Sequence, residues 1–368
     1  MSKKVRHVLG ISGGKDSAAL AIYLHQKYPH LDIEYYTCDT GKELQETYDL
    51  IENLEGYLGK KIIRLKSGGT VTQDPFDYYY NVFGSYLPSS NMRWCTKYLK
   101  LHPFENFVGD DLVISYVGIR GDEDREGYIS KKTNIQSIFP FRKNIWSEDV
   151  ISKVLRNENI EALKEIYEFD NSNDLSKRII EIVLQPISSK FTIQQKLNLL
   201  LDLGTEKFNN VVFEFLKTTN YPLSKEKSFA LLDNEEVLVR DDIFKLLRNS
   251  GVGVPAYYEK IGFEVNGKKG EYARSRSGCY FCFFQQKIEW VWLYEQHPDK
   301  FKLAIEYENE KEGFTWNQNE SLLQLIKPER IETIKTEFLN RNKAKAKSSY
   351  LVDVLDDAEA EGCASCFI

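Results

Sequence analysis

Residues 12–17 read Ser12-Gly13-Gly14-Lys15-Asp16-Ser17, a set suited to holding a phosphate chain. The glycines let backbone approach an anion closely. Lys15 brings a positive charge, and Ser12 and Ser17 bring hydroxyl donors. The spacing is not the GxxxxGK[ST] of the common phosphate loop. A second set is Cys38-Asp39-Thr40-Gly41-Lys42-Glu43. Asp39 suits Mg²⁺, a ribose or a substrate hydroxyl; the plainer alternative is a turn in which Asp39 or Thr40 caps a helix. A third is Gly118-Ile119-Arg120-Gly121-Asp122-Glu123-Asp124-Arg125. There Arg120, with Arg125 as a second candidate, offers a bidentate grip on an α-phosphate or a substrate anion. A solvated charged loop is the alternative. Arg274-Ser275-Arg276-Ser277 adds two guanidinium groups that face either a phosphate or sulfate, or solvent.

The chain has six cysteines. Cys279 and Cys282 stand two residues apart and can present two thiolates to one metal, which is not yet a complete site. Cys95, in Arg93-Trp94-Cys95-Thr96-Lys97, is a third donor. Three thiolates suit a [4Fe–4S] cluster with one open iron. Zn²⁺ needs a fourth ligand, and His102 is the tempting one. If residues 95–102 form one helix, however, His102 lies about 10 Å along the axis from Cys95, too far for one ion. Free thiols remain the third option. Cys38 reads as a small packing residue. Cys363 and Cys366, near the C-terminus, suit a further ligand, a redox pair, or two exposed thiols. The aromatic run Tyr280, Phe281, Phe283, Phe284, Trp290 and Trp292 reads as packing around the cysteines, with a base-stacking platform as the alternative.

These sets need elements to position them. Residues 5–11, 33–38, 61–65 and 112–119 read as strands; 15–28 and 43–58 read as helices. Strands alternating with helices predict a parallel sheet covered on both faces, an α/β fold. The three N-terminal sets then fall at strand ends, where such sheets bind ligands. Residues 157–238 read as amphipathic helices without a chemistry-bearing cluster. They are flanked by two similar segments, 147–157 and 239–249, so the expectation is a helical insertion. The expected organisation is a nucleotide-binding core at 1–156, the insertion at 157–238, completion of the core with the CxxC site at 239–330, and a helical or mobile tail at 331–368.

The 368 residues are 42% hydrophobic and 28% charged, the balance of a globular protein. The net charge of −6 argues against non-specific polyanion binding by the isolated chain. No run approaches the ~20 apolar residues of a membrane helix, and residues 1–12 lack signal-peptide architecture. The expected compartment is the cytoplasm.

The Ser12–Ser17 sequence resembles the SGGKDS signature of the PP-loop ATP pyrophosphatase superfamily, the adenine nucleotide α-hydrolase-like group. Asp39-Thr40-Gly41, the 118–125 element, the Pro140 to Trp146 segment and Gly278-Cys279-x-x-Cys282 are similar to elements of its phosphoadenosine phosphosulfate (PAPS) reductase branch. The resemblance covers about 1–150 and 240–330. It implies ATP and Mg²⁺ as ligands, cleavage of ATP to AMP and pyrophosphate, and adenylation of an acceptor before sulfur transfer. Lys15 would neutralise the β,γ-phosphates, Arg120 would stabilise charge at the α-phosphate, and Gly118 would help bind the nucleotide. Related cysteine sets occur in tRNA thiolation enzymes and in DNA phosphorothioation sulfurtransferases that act in phage defence. They imply a nucleic-acid acceptor brought by a partner protein, and a sulfur donor such as a cysteine desulfurase. Trp94 departs from the adjacent cysteines of iron–sulfur reductases. The tail around Cys363 departs from the reductases' ECGxH, in which the cysteine is catalytic. Three other roles stay open: a PAPS or adenosine phosphosulfate reductase, a sulfate adenylyltransferase-like enzyme, and a nucleotide-binding regulatory subunit without turnover. Retention of Lys15 and Asp16 tells against reduction, because reductases of this branch generally lose that pair.

Overall fold

The computed structural model describes residues 4–68, 73–123, 132–168 and 174–347. Its centre is a five-stranded parallel sheet, the fold class expected from the alternating pattern. The strands are β1 (Arg6–Gly10), β2 (Ile33–Cys38), β3 (Ile63–Leu65), β4 (Val113–Tyr116) and β5 (Ile135–Ile138), in the order β3-β2-β1-β4-β5. β1 pairs in parallel with β2 on one side and β4 on the other. The chain therefore leaves β1 towards one edge and later returns to build the other. Loops after β1 and β4 diverge at such a switch point and leave a crevice at the strand ends.

Helix α1 (Lys15–Lys27) is buried from Lys15 to Leu24, because it is sandwiched between the sheet and the helix Arg240–Ser250. Helix α2 (Gln45–Leu58) is amphipathic. It buries Thr47, Leu50, Ile51, Leu54 and Leu58 at helical spacing and stops at the left-handed Gly59. Each fully buried aliphatic side chain here stabilises the fold by roughly 1.5–3 kcal/mol.

The region 157–238 is helical, with helices Ile160–Glu168, Asp174–Leu184, Ile193–Leu203 and Thr205–Leu216. Its core is continuous with that of α1 and the sheet, since Leu163, Val212 and Leu216 share one cluster with Leu20 and Ile22. The similar flanking segments both become helices, Glu148–Val154 and Arg240–Ser250, each entered from an extended residue. The chain returns from this region along the loop after β4. Leu238 exchanges backbone hydrogen bonds with Gly121 and Phe141, and the fully buried Asn234 bonds to Tyr23 and the Pro140 carbonyl.

Residues 256–339 build a second core with Phe76 and Trp94. It includes a hairpin (Ile261–Val265, Lys268–Tyr272) and the buried Trp290, Trp292 and Trp316. The C-terminal helix is described over Pro328–Lys347. Among the described residues, no helix is long and apolar enough to cross a membrane.

Candidate functional site

The loop between β1 and α1 is tightly shaped. Gly13 has φ +71°, and a Cβ there would stand 2.2 Å from Thr47 Cγ2. A Cβ on Gly14 would stand 2.6 Å from Ser277 Oγ. Both positions therefore demand glycine for space, and Gly13 for conformation as well. The Ser12 and Ser17 hydroxyls lie 3.1 Å apart, and Ser17 also accepts the Ser12 N–H. The loop leads into the N-terminus of α1, where unpaired N–H groups favour an anion.

Lys15 and Asp16 are buried side by side, Nζ to Oδ2 3.2 Å. Arg120, 3% exposed, reaches across from the loop after β4. It binds Asp16 at 2.9 Å, Asp122 at 2.9 Å and Glu123 at 2.8 Å. Burial works against the Asp16 carboxylate, but Lys15 and Arg120 outweigh it and hold the group below the usual carboxylate range. Gly118 permits this meeting, because a Cβ there would stand 2.9 Å from the Asp16 carbonyl oxygen. Lys15 and Arg120 thus sit at one centre, neutralised in this state by protein carboxylates.

The loop after β2 lies alongside. Asp39 Oδ1 accepts the Gly41 N–H at 2.9 Å and the Tyr48 hydroxyl at 3.3 Å, and Oδ2 pairs with Lys66 at 3.2 Å. Gly41 has φ +76° and packs against Asp74. Thr40 donates to Glu43 at 2.6 Å and lies 3.2 Å from the sulfur of Cys279. A bridge between Glu43 and Cys279, with the Tyr280 N–H donating to the Lys42 carbonyl, fastens this loop to the CxxC segment.

Cys95, Cys279 and Cys282 line one cavity, walled by Phe76, Leu99, Phe281 and Trp316. Burial raises the Cys279 thiol well above its ordinary value, with the Glu43 charge adding to it; burial raises Cys282 as well. Among the described residues, no group of three or more His, Cys, Asp or Glu side chains stands as a ready metal site. Soft thiol donors in a mostly apolar hollow are a donor set that suits an iron–sulfur group or zinc, and Cys363 and Cys366, the further donors read from the sequence, lie outside the described residues. His102 belongs to the helical run 94–108, where its ring packs edge-on against Tyr98 at 4.8 Å and does not line the cavity. Cys38 also lies apart, its thiol donating to the Lys100 carbonyl and burial raising its pKa to about 12.

Arg274 and Arg276 are buried, at 1% and 7% exposure, rather than surface charges. Arg274 donates to the Cys279 carbonyl at 3.1 Å, while its Nε and Nη1 are buried without hydrogen-bond partners. A buried, incompletely bonded guanidinium is a ready anion holder. Arg125 and Cys363, together with Cys366, lie outside the described residues.

Tyr257 and Tyr258, which carry no sequence signal, and Ser277, from the Arg274–Ser277 set, complete the phosphate loop. Tyr257 donates to the Gly13 carbonyl at 3.1 Å, the Tyr258 hydroxyl accepts the Lys15 N–H at 3.4 Å, and Ser277 packs on Gly14. Ser277 also lines the cysteine cavity, so it touches both parts of the site.

Residues 6–170 match the family model described as the phosphoadenosine phosphosulfate reductase domain. The chain is 33% identical over 153 residues to an uncharacterized protein of Methanocaldococcus jannaschii, a match covering 38% of this chain and 30% of that protein. It is 25% identical over 158 residues to an adenosine 5'-phosphosulfate reductase of Staphylococcus haemolyticus, covering 42% of this chain and 62% of that protein. The matches thus span less than two thirds of either relative. No solved structure matches.

Proposed function

We propose that this chain, which through residues 6–170 belongs to the PAPS reductase-like family of nucleotide-using, sulfur-related enzymes, cleaves ATP to AMP and pyrophosphate and uses the adenylate for sulfur transfer. The observation that carries the proposal is the contact between Thr40 and Cys279, 3.2 Å, which joins the nucleotide loops to the three-cysteine cavity.

In this scheme the triphosphate lies on the 12–17 loop, with Lys15 at the β,γ-phosphates and Asp39 towards Mg²⁺ or the ribose. An acceptor oxygen attacks the α-phosphorus, and pyrophosphate leaves. Sulfide arriving from the cysteine side then displaces AMP, so the acceptor oxygen departs with AMP and no electrons are exchanged. Arg120 holds Asp16 and, through it, Lys15; a direct grip on the α-phosphate requires it to trade carboxylate partners for phosphate oxygens. Catalysis of this kind is mostly positioning and electrostatics. Cys95, Cys279 and Cys282 would hold a [4Fe–4S] group, which when bound supplies an open iron able to carry sulfide. Arg274 and Arg276 would hold an anionic group of nucleotide or acceptor.

One observation favours a second reaction, reduction of a sulfonucleotide: the similarity to an adenosine 5'-phosphosulfate reductase. The deciding experiment incubates anaerobically purified full chain with ATP, Mg²⁺, sulfide and candidate acceptors, and measures AMP and pyrophosphate. Lys15→Ala should abolish their formation. Normal turnover by Lys15→Ala would overturn the assignment of the loop. Reduction of adenosine phosphosulfate with no AMP from ATP would replace the proposal with the reductase.

A further inference from the structure

Beside the cysteine cavity lies a larger hollow of about 480 Å³ that the nucleotide chemistry leaves unused. Segments 86–91 and 313–319 form its walls, and Phe283 and Phe284 close it on the side of the CxxC segment. The two hollows share Pro88, Phe283, Phe284 and Trp316, so an occupant of the larger one rests against the cysteine site.

The lining has a particular chemistry. Five residues are aromatic, and much of the rest is amide or hydroxyl, including Asn91, Asn317 and Asn319. None carries a charge, in a chain where 28% of residues do. Flat apolar faces beside amides match an uncharged, planar ring with polar edges. Aromatic side chains stack on bases, and Asn and Gln side chains read their edges.

The surroundings are cationic. The Arg93 guanidinium lies 4.9 Å from the Phe284 ring centre, and that of Arg276 lies 5.6 Å from it. Arg93, Lys97 and Lys100 follow one another at three- to four-residue spacing along the helical run that begins at Trp94, and Lys100 lines the cysteine cavity. An uncharged ring pocket with Arg93 and Arg276 against its Phe284 wall is the complement of a base on a phosphate chain. Bases within a duplex are stacked and paired, so the pocket can receive only one that is unpaired.

The geometry points to a nucleobase subsite: the hollow between 86–91 and 313–319 takes an unpaired base of a single-stranded nucleic acid and so presents that strand, as acceptor, to the cysteine cavity. This rests on the sulfur-transfer reading. It also limits the consequence of the net charge, because binding that depends on the base needs only a local basic line.

The test uses the full chain and a labelled single strand of about 12 nucleotides, within the span one stacking groove covers. Competitors are the same sequence as duplex, the same strand with abasic positions, and an unstructured peptide. ATP binding is measured on every sample. The single strand should bind at least about tenfold more tightly than duplex or abasic strand, and Tyr86→Ala should weaken it by roughly tenfold, the loss of one stacking contact. Tyr86 is exposed at the hollow, so this variant should fold and bind ATP normally. Arg93→Ala should reduce the salt dependence of binding. Equal binding of the abasic strand, an unchanged Tyr86→Ala, or preference for the peptide would overturn the subsite. Base-dependent binding without AMP formation would remove the proposed reaction and leave the subsite standing. AMP formation without base-dependent binding would do the reverse.

Discussion

Replacing Arg120 by Met keeps most of the side chain's apolar volume and deletes one charge. In the native protein that charge faces Asp16, 9% exposed, Glu123, 2% exposed, and Asp122, 37% exposed. The Asp122 pair is open enough to solvent to count for little. The other two are buried, and breaking a buried pair by removing one partner costs about 3–5 kcal/mol because a carboxylate is stranded. Arg120→Met should therefore lose about that much stability near pH 7 in equilibrium denaturant unfolding. The loss has a pH signature. In the native protein Asp16 is held below its unfolded pKa, so its contribution is present above that unfolded value and disappears as pH falls through the folded one. Stripped of one of its two cations, Asp16 takes up a proton at higher pH than in the native protein, so the gap between variant and native protein should narrow as pH falls into the acid range. A loss under about 1 kcal/mol, the scale of a surface pair, or a gap that does not change with pH, would refute the view that this network fixes the site.

Two other perturbations test the frame around it. Gly13→Ala forces a side chain into left-handed backbone and towards Thr47 Cγ2; it should cost about 1–2 kcal/mol from conformation alone and weaken ATP binding measured by titration calorimetry. Thr47→Ser in the same chain removes the clashing methyl group while keeping the hydroxyl that donates to Tyr257, and should restore only the steric part. His7 is held at about pKa 4 by burial, with Lys4 adding to the effect. Its unfolded value is near 6.5, so the unfolded state binds the extra proton and stability should fall, by at most about 3 kcal/mol, as pH drops from about 6.5 to 4. Thermal melts of His7→Gln, which keeps a partner for the Tyr116 hydroxyl, should lack that decline.

The sheet was legible where apolar runs were long. β1, β2 and β4 follow stretches such as Val8 to Ile11 and Val113 to Val117, and their ligand loops fall at the strand ends as the alternating pattern requires. β5 was missed because Ile135-Gln136-Ser137-Ile138 is short and half polar, although all four residues are buried. Gln136 accepts the Leu223 N–H there, a tertiary bond with no sequence trace. The second limit was charge. Arg120 reads as an anion clamp, but its partners are spread from Asp16 to Glu123, and only the fold shows that carboxylates already occupy it. The third was distance along the chain: nothing in the pattern around Tyr257 and Tyr258 points to Gly13 or Lys15.

That last contact carries a consequence for biosynthesis. The Tyr257–Gly13 bond closes a loop of 244 residues. A nascent chain can pair β1 with β2 and β4 long before residue 257 leaves the ribosome, yet its phosphate loop is still open on one side. Contacts of such separation are slow to form. A chain arrested between residues 251 and 256, with the helix Arg240–Ser250 already made, should therefore keep the sheet and lack the finished site, so that synthesis past Tyr257 itself marks the point at which the nucleotide centre is assembled.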